Sequence, residues 1–280
     1  MAEIGMAEVD TARIVPLTRR TMPDPFTDAP RPAPARRPHA APRIAVLIPC
    51  RDEAPAIGRV VADFRAALPD AVVYVYDNNS TDATMAVAAD AGAVVRRETL
   101  QGKGHVVRRM FADVDADCYV LVDGDGTYDA SAAPGMVAML FDQQLDMVNA
   151  ARSGDAAGAY RRGHRLGNRV LTGLVRAIFG ERISDMLSGY RAFSRRFVKT
   201  FPALAQGFET ETEFTIHALD LDMPVAEIAA PYRERPAGTA SKLNTYRDGL
   251  RILRTIIVLV KEQRPLQFFS LSALALLLAG

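Results

Sequence analysis

The sequence lacks the features that mark several large classes of protein. Its 34 Lys and Arg residues nearly cancel its 33 Asp and Glu residues, for a formal net charge of +1, whereas a general nucleic-acid-binding protein has a clear basic excess. Its two cysteines, Cys50 and Cys118, are too few for a disulfide framework, and no Cys-x-x-Cys pair is present for zinc or redox chemistry. We therefore expect a protein of a reducing compartment, with no nucleic-acid partner, whose cysteines are small core residues.

Signals for three further classes are also missing. No charged N-terminal start is followed by an apolar run, so we expect no signal peptide. The segment Gly102-Lys103-Gly104 is not a GxxxxGK[ST] loop, and Gly124-Asp125-Gly126 does not continue as GxGxxG. These absences argue against a P-loop kinase and against a dehydrogenase with a dinucleotide-binding fingerprint.

Composition divides the 280 residues into four segments. Residues 1–42 hold eight of the 17 prolines and cannot bury enough apolar surface to offset the entropy of ordering. We expect a disordered Pro- and Arg-rich tail there, with a polyproline II docking arm as the alternative. Residues 43–243 form the predicted main domain, 244–265 a predicted amphipathic helix in a membrane interface, and 266–280 an uncharged apolar segment that we predict to be membrane-associated.

The main domain alternates strand and helix patterns. Strands are predicted at 43–49, 71–77, 93–97, 118–123, 147–151 and 225–230, and helices at 55–68, 82–92, 104–114, 160–179, 211–219 and 244–261. This alternation predicts an α/β fold with a mostly parallel sheet and helices on both faces.

Polar residues follow three of the predicted strands. They are Pro49-Cys50-Arg51-Asp52-Glu53, Asp77-Asn78-Asn79-Ser80-Thr81-Asp82 and Asp123-Gly124-Asp125-Gly126. Ligands of open parallel sheets bind outside the carboxyl ends of the strands, so these segments predict a site for a cation and a polyhydroxylated ligand. In the second segment Asp77 has two interpretations, hydrogen bonding to a base or ribose, or capping of the next helix.

Asp123 and Asp125 predict a site for one hard divalent cation, such as Mg²⁺ or Mn²⁺, with positions left open for phosphate oxygens. An EF-hand is excluded because Thr127 and Tyr128 stand where that loop needs a ligand and a glycine. The alternative is an ordinary Asp-Gly turn after a strand.

Eight segments occur in the order IAVLIPCRDE, VYDNNSTD, GKG, VDGDGTYD, NAARSG, SDMLSGYRAFSRR, GFETETEF and PYRERPAGTASKLNTYRDGLRIL. Together they resemble glycosyltransferase family 2, and within it the polyisoprenyl-phosphate glycosyltransferases of the dolichyl-phosphate mannose or glucose synthase type. The resemblance covers about residues 43–265. It implies a Rossmann-like GT-A fold, a nucleotide-diphosphate sugar donor, a divalent metal, and inverting transfer to a polyprenyl phosphate at the cytoplasmic face of the membrane.

The resemblance also implies roles for individual residues. The predicted donor-binding residues are Pro49, Arg51, Glu53, Asp77, Lys103 and Asp123, and the predicted metal ligands are Asp123 and Asp125. The predicted catalytic residues are Arg152 and Asp185, and the predicted acceptor- or phosphate-binding residues are Arg162, Arg191, Arg235, Ser241 and Lys242. Dolichyl-phosphate mannose synthases have a Gln two residues past the second Asp, where this chain has Thr127, so the third protein ligand to the metal is not identified.

The role of Asp185 depends on the acceptor. A phosphate monoester is largely ionised at neutral pH and needs positioning more than deprotonation, so Asp185 would orient groups. A hydroxyl acceptor needs a base, and Asp185 is then the candidate. The remaining interpretation is a helix cap or an ion pair with an arginine.

Basic residues on two predicted helices suggest a membrane surface. Arg161, Arg162, His164, Arg165 and Arg169 suit anionic headgroups or a lipid phosphate, although a solvated helix face is the alternative. Arg247, Arg251 and Arg254 recur beside an apolar stripe, as on a helix lying in a membrane interface or packed on a soluble core. Lys261 and Arg264 precede the uncharged run and favour a cytoplasmic catalytic domain.

We therefore predict a metal-dependent, membrane-associated glycosyltransferase acting on a polyprenyl phosphate. The alternatives are a GT-A enzyme with a hydroxyl acceptor and a non-catalytic scaffold of the same fold.

Overall fold

The computed structural model describes residues 41–153, 162–180, 183–235 and 245–279. The strands are β1 (Ile44–Cys50), β2 (Val72–Asp77), β3 (Val94–Arg97), β4 (Cys118–Leu121), β5 (Met147–Ser153), β6 (Arg191–Ser194) and β7 (Val225–Pro231). The helices are α1 (Ala54–Ala67), α2 (Thr84–Asp90), α3 (Lys103–Asp113), α4 (Ala133–Asp142), α5 (Arg162–Phe179), α6 (Arg195–Thr200), α7 (Thr210–Asp220), α8 (Thr245–Gln263) and α9 (Pro265–Ala279). The predicted disordered tail falls on residues outside these ranges, apart from its last two.

The seven strands form one sheet in the order β3-β2-β1-β4-β6-β5-β7. Strands β3, β2, β1 and β4 run parallel, and β5 and β7 run parallel to each other, while β6 is antiparallel to both of its neighbours. The predicted α/β class and the Rossmann-like, mostly parallel sheet flanked by helices are confirmed. The sheet is mixed because β6, which the sequence pattern did not reveal, enters between β4 and β5.

Successive side chains of β1, an interior strand of the sheet, are buried in two separate cores on opposite faces. Val46, Ile48 and Cys50 pack in one with α1, α2 and α4, whereas Ala45 and Leu47 pack in the other with α3, α6 and α7. This period of two is the geometry of an extended strand. Both faces of the sheet are therefore covered, and its carboxyl edge is left for the site.

The C-terminal helix α8 packs on the catalytic domain through one face. Ile252, Ile256 and Leu259 are buried in a third core with residues of α5 and α7, while Leu250 and Ile257 are exposed. The structure therefore shows a helix packed on the core through one face, with two apolar side chains of the predicted stripe left exposed.

Helix α9 follows and keeps large apolar side chains exposed, among them Leu266, Phe269, Leu276, Leu277 and Leu278. Among the helices that the structure describes, none combines the length and the apolar content that a bilayer span requires.

Candidate active site

A cavity of about 440 Å³ lies at the carboxyl ends of β1, β2 and β4. It is lined by Pro49, Cys50, Arg51, Asn78, Gln101, Gly102, Lys103, Val106, Asp123, Gly207, Phe208, Arg247, Asp248 and Arg251. Four residues predicted for the donor side, Pro49, Arg51, Lys103 and Asp123, thus share one cavity.

Asp77 and Glu53 do not line this cavity. Both oxygens of the buried Asp77 carboxylate accept from the Ser80 backbone N–H, at 3.1 and 3.3 Å, so Asp77 shapes the turn after β2. Glu53 is also buried, and its N–H donates to Thr84 Oγ1 at 2.8 Å. The residue that faces the cavity beside Asp77 is Asn78, whose Oδ1 accepts from the Gly102 N–H at 2.8 Å.

Lys103 joins two carboxylates at the floor of the cavity. Its Nζ lies 2.5 Å from Asp123 Oδ1 and also contacts Glu211 on α7. Burial alone lowers the pKa of Lys103, but Asp123 and Glu211 outweigh burial and hold that pKa above its usual value. Burial also raises the pKa of Glu211, whose Oε2 has no hydrogen-bond partner among the described residues. The sequence alone does not single out Glu211 as a site residue, because an acid near the start of a helix is common.

Asp125 lies beside Asp123 but is only 4% exposed. Its Oδ1 accepts from the Thr127 N–H at 3.0 Å and from Thr127 Oγ1 at 2.6 Å. Its Oδ2 lies 2.6 Å from Arg235 Nη2. Burial raises the pKa of Asp125, and the negative charge of Asp123 adds to this rise. Thr127, which stands where dolichyl-phosphate mannose synthases have a Gln, therefore orients the Asp125 carboxylate.

The two carboxylates suit a divalent cation by their chemistry. They offer hard oxygen ligands to a cation. They carry like charges and are separated in the sequence only by Gly124. Each already contacts a cationic side chain, Lys103 or Arg235. Within the described part of the chain, no three His, Cys, Asp or Glu side chains form a complete metal-binding group. Further ligands to a cation here would come from substrate oxygens or water.

Gly189 fixes the other side of Asp123. A Cβ atom built on Gly189 would lie 2.3 Å from Asp123 Oδ2, far inside van der Waals contact. The Gly189 N–H also donates to the Tyr128 hydroxyl at 2.8 Å. The Ser-Gly-Tyr segment before β6 therefore has a glycine where the carboxylate needs room.

Arg152 and Asp185 meet at the end of β5. Arg152 Nε donates to Asp185 Oδ2 and Arg152 Nη2 to Asp185 Oδ1, each at 2.7 Å. Glu227 on β7 holds the same loop, accepting from the Ser184 N–H at 3.1 Å and from the Asp185 N–H at 3.4 Å. The two residues predicted at the acceptor side thus form an ion pair, and the Glu227 carboxylate holds the backbone of the loop that carries Asp185.

The prediction that Arg191 binds the acceptor or its phosphate disagrees with the structure. Its side chain is 0% exposed, and its guanidinium donates to Met186 O, Ser188 O and Thr215 Oγ1 at 2.5, 3.1 and 2.9 Å. Burial lowers the pKa of Arg191 to about 10. Arg191 is a core residue that ties the 186–188 loop to α7, because its donors are used by the protein itself.

Of the other residues predicted to bind the acceptor or its phosphate, the structure describes the side chain of Arg235 only. Arg235 contacts Asp125, as described above. Ser241 and Lys242 lie outside the described residues, as does the side chain of Arg162 on α5.

Two arginines of the cavity lie at a position that the sequence does not predict. Arg247 and Arg251 project from α8 into the cavity that also contains Lys103 and Asp123. Their spacing had suggested only a membrane-facing or packed helix. The fold alone brings this C-terminal helix over the carboxyl edge of the sheet.

Comparisons with known proteins agree on the family. Residues 45–201 match the family model described as glycosyl transferase family 2. The chain is 33% identical over 227 residues to glycosyltransferase AglJ of Haloferax volcanii, covering 81% of this chain and 75% of that protein. It is 28% identical over 221 residues to dolichyl-phosphate hexose transferase of the same organism, covering 79% of this chain and 95% of that protein.

A solved structure gives the same result. The glucosyl-3-phosphoglycerate synthase of Mycobacterium tuberculosis, in complex with Mn²⁺, uridine diphosphate and glucosyl-3-phosphoglycerate, matches with a TM-score of 0.62 and 25% identity. The match covers 80% of each chain. The predictions of the family and of an enzyme are confirmed, and the chain belongs to glycosyltransferase family 2.

Proposed function

We propose that this glycosyltransferase transfers a sugar, with inversion, from a nucleoside-diphosphate sugar to a polyprenyl phosphate at the cytoplasmic face of a membrane. The observation that supports a lipid-linked acceptor is that α8, which lines the cavity, is followed directly by the exposed apolar helix α9. Arg247 and Arg251 of α8 line the donor cavity, and the next helix, α9, exposes Leu266 at 80% and Leu278 at 80%. An exposed apolar helix that directly follows a cavity-lining helix fits an acceptor dissolved in lipid.

The donor side supports a diphosphate. A nucleoside diphosphate leaves with negative charge on its β-phosphate, so the site needs fixed positive charge. Lys103 and Arg235 hold positive charge beside Asp123 and Asp125, and Arg51 lines the cavity. Mg²⁺ or Mn²⁺ would be held by Asp123 and Asp125 and would supply the remaining charge stabilisation. The M. tuberculosis synthase, crystallised with Mn²⁺ and uridine diphosphate, supports this assignment.

The acceptor side supports a phosphate rather than a hydroxyl. Both oxygens of Asp185 accept from Arg152, so this carboxylate is committed to orienting a guanidinium and not poised to remove a proton. An ionised phosphate needs no such base. The name of the dolichyl-phosphate hexose transferase relative is consistent with this class. Asp185 then positions Arg152, which with Arg235 faces the incoming phosphate.

The membrane surface would be the exposed apolar side of α8 and α9, with Lys261 and Arg264 at the junction of the two helices. Basic residues next to an apolar segment interact with anionic headgroups on the cytoplasmic side.

The test is transfer to extracted lipid. The full chain is incubated with Mn²⁺ or Mg²⁺, radiolabelled UDP- and GDP-sugars, and either undecaprenyl phosphate or undecaprenol. We expect metal-dependent label in the organic phase with undecaprenyl phosphate only. Label on undecaprenol or on a soluble hydroxyl acceptor, with none on undecaprenyl phosphate, would replace this proposal with the hydroxyl alternative. Asp70→Ala, at an exposed turn, is the control for substitutions at Asp123 or Asp125.

A further inference from the structure

We propose that Arg251, assisted by Arg247, binds the phosphates of the nucleotide donor, so that α8 forms one wall of the donor site. This inference rests on the proposed function, because it takes the donor to be a nucleoside-diphosphate sugar. It assigns a role in substrate binding to a helix outside the alternating strand-helix region.

The two arginines face the same way. Residues four apart lie on one face of a helix, and both Arg247 and Arg251 line the cavity that contains Lys103 and Asp123. A Cβ atom built on Gly207 would lie 3.1 Å from Arg251 Nη1, so the guanidinium rests on the backbone that precedes Phe208. The absence of a side chain at Gly207 lets Arg251 lie at the cavity wall.

Arg251 differs in its ion pairing from Lys103 and Arg51, two other basic residues of the cavity. Lys103 is compensated by Asp123 and Glu211, and Arg51 lies 3.5 Å from Asp52. Within the described ranges, by contrast, no carboxylate forms an ion pair with Arg251, although the Glu209 carboxylate and Arg251 Nη1 both approach Gly207. A guanidinium without an ion-pair partner, at the wall of a cavity, is suited to phosphate oxygens, to which arginine donates in a bidentate fork.

Helix α3 begins at another part of the cavity lining. The N–H groups at its start are used by the protein, because the Gly102 N–H donates to Asn78 Oδ1 and the Gly104 N–H donates to Gln206 O. The basic groups near a diphosphate in this cavity are therefore side chains, Lys103 of α3 and Arg251 of α8.

Arg254 provides the matched control. It lies on α8 three residues after Arg251 and is exposed in the same way. Both arginines line a second cavity, between α8 and the 204–209 loop, but only Arg251 also lines the donor cavity. A general effect of positive charge on α8 would be the same for both arginines, whereas a phosphate contact would be specific to Arg251.

The experiment is calorimetric titration of the full chain in detergent micelles with UDP, GDP and uridine in the presence of Mn²⁺. For the diphosphate that the wild type binds, we expect Arg251→Ala to weaken affinity about tenfold or more, Arg251→Lys to restore part of it, and Arg254→Ala to match the wild type. Uridine binding should not change in any variant.

The outcomes separate the two proposals. If the wild type binds neither diphosphate, the proposed function fails and this inference fails with it. If the wild type binds a diphosphate but Arg251→Ala binds it equally well, or if Arg254→Ala weakens it to the same extent, this inference alone is wrong. Thermal melting of each variant confirms that the fold is retained.

Discussion

The Arg152 guanidinium is bound face to face with the Asp185 carboxylate by two hydrogen bonds of 2.7 Å. Arg152 belongs to the end of β5 and Asp185 to the loop before β6, so the pair joins two segments more than 30 residues apart. Of the interpretations of Asp185 that the sequence left open, this geometry is that of an ion pair with an arginine. The arrangement fixes the orientation of the Arg152 guanidinium at the end of β5.

The Asp185→Asn variant distinguishes orientation from base catalysis. We expect kcat to fall about 10- to 100-fold, because a loosened Arg152 no longer holds the reacting groups in place. The shape of the pH–rate profile should stay the same, since the acceptor phosphate, with a second pKa of about 6, remains the titrating group. Loss of the acidic limb of the profile in the variant would instead identify Asp185 as a general base.

Gly189→Ala tests the position of Asp123. The new Cβ would meet Asp123 Oδ2 at 2.3 Å, so the carboxylate must move. We expect metal-dependent donor binding to weaken by at least tenfold, a value typical of disturbed support around a metal ligand. The control is Gly135→Ala on α4, where nothing lies within 4 Å of the added carbon. Equal donor affinity in the two variants would show that Asp123 does not depend on Gly189.

Arg191→Met tests the assignment of Arg191 to the core. The substitution leaves the carbonyls of Met186 and Ser188 without their donor, and a buried unsatisfied group costs about 1–3 kcal/mol. We expect chemical denaturation to show a loss of about 3 kcal/mol, with little loss for Arg59→Met at an exposed site. A stable variant with a raised KM for the acceptor would instead support the original prediction from the sequence.

His217 makes stability depend on pH. Burial lowers the pKa of His217, so the unfolded chain binds a proton more readily than the folded protein. The contribution of neutral His217 to the free energy of unfolding is therefore fully present above the pKa of histidine in the unfolded chain, about 6.5. This contribution is lost as the pH falls below that value. We expect the melting temperature to drop between pH 7.5 and 5.5, and less steeply in His217→Phe, which keeps an aromatic ring beside Phe197 and Phe201. Identical pH dependence in the variant would contradict this account.

The first half of the fold could be predicted because its signals are local. The apolar pattern of β1, β2 and β4 identified buried strands, and polar residues at their ends identified the edge where Asp123 and Lys103 meet. Strand β6 was not predicted because it begins with an arginine and ends with a serine, whereas β4, a strand of the same length, is a continuous apolar run. The burial of that arginine depends on Met186, Ser188 and Thr215, contacts that no sequence periodicity encodes.

The rest of the site depends on tertiary contacts. Glu211 reaches Lys103 from 108 positions away, and Glu227 reaches the Asp185 loop from another strand. The spacing of Arg247 and Arg251 showed that they share a helix face, but only the packing of α8 on α5 and α7 directs that face to the donor cavity. Sequence patterns give the face of an element, whereas the neighbour of that face is set by the fold.

The most direct measurement of the central claim is the effect of Mn²⁺ on the affinity for a nucleoside diphosphate, compared between the wild type and Asp125→Asn by calorimetry. Asp123 and Asp125 would hold a metal that contributes to diphosphate binding, so Mn²⁺ should strengthen binding to the wild type and have no such effect on the variant. An equal increase in affinity with Mn²⁺ in both proteins would show that Asp125 does not hold the metal.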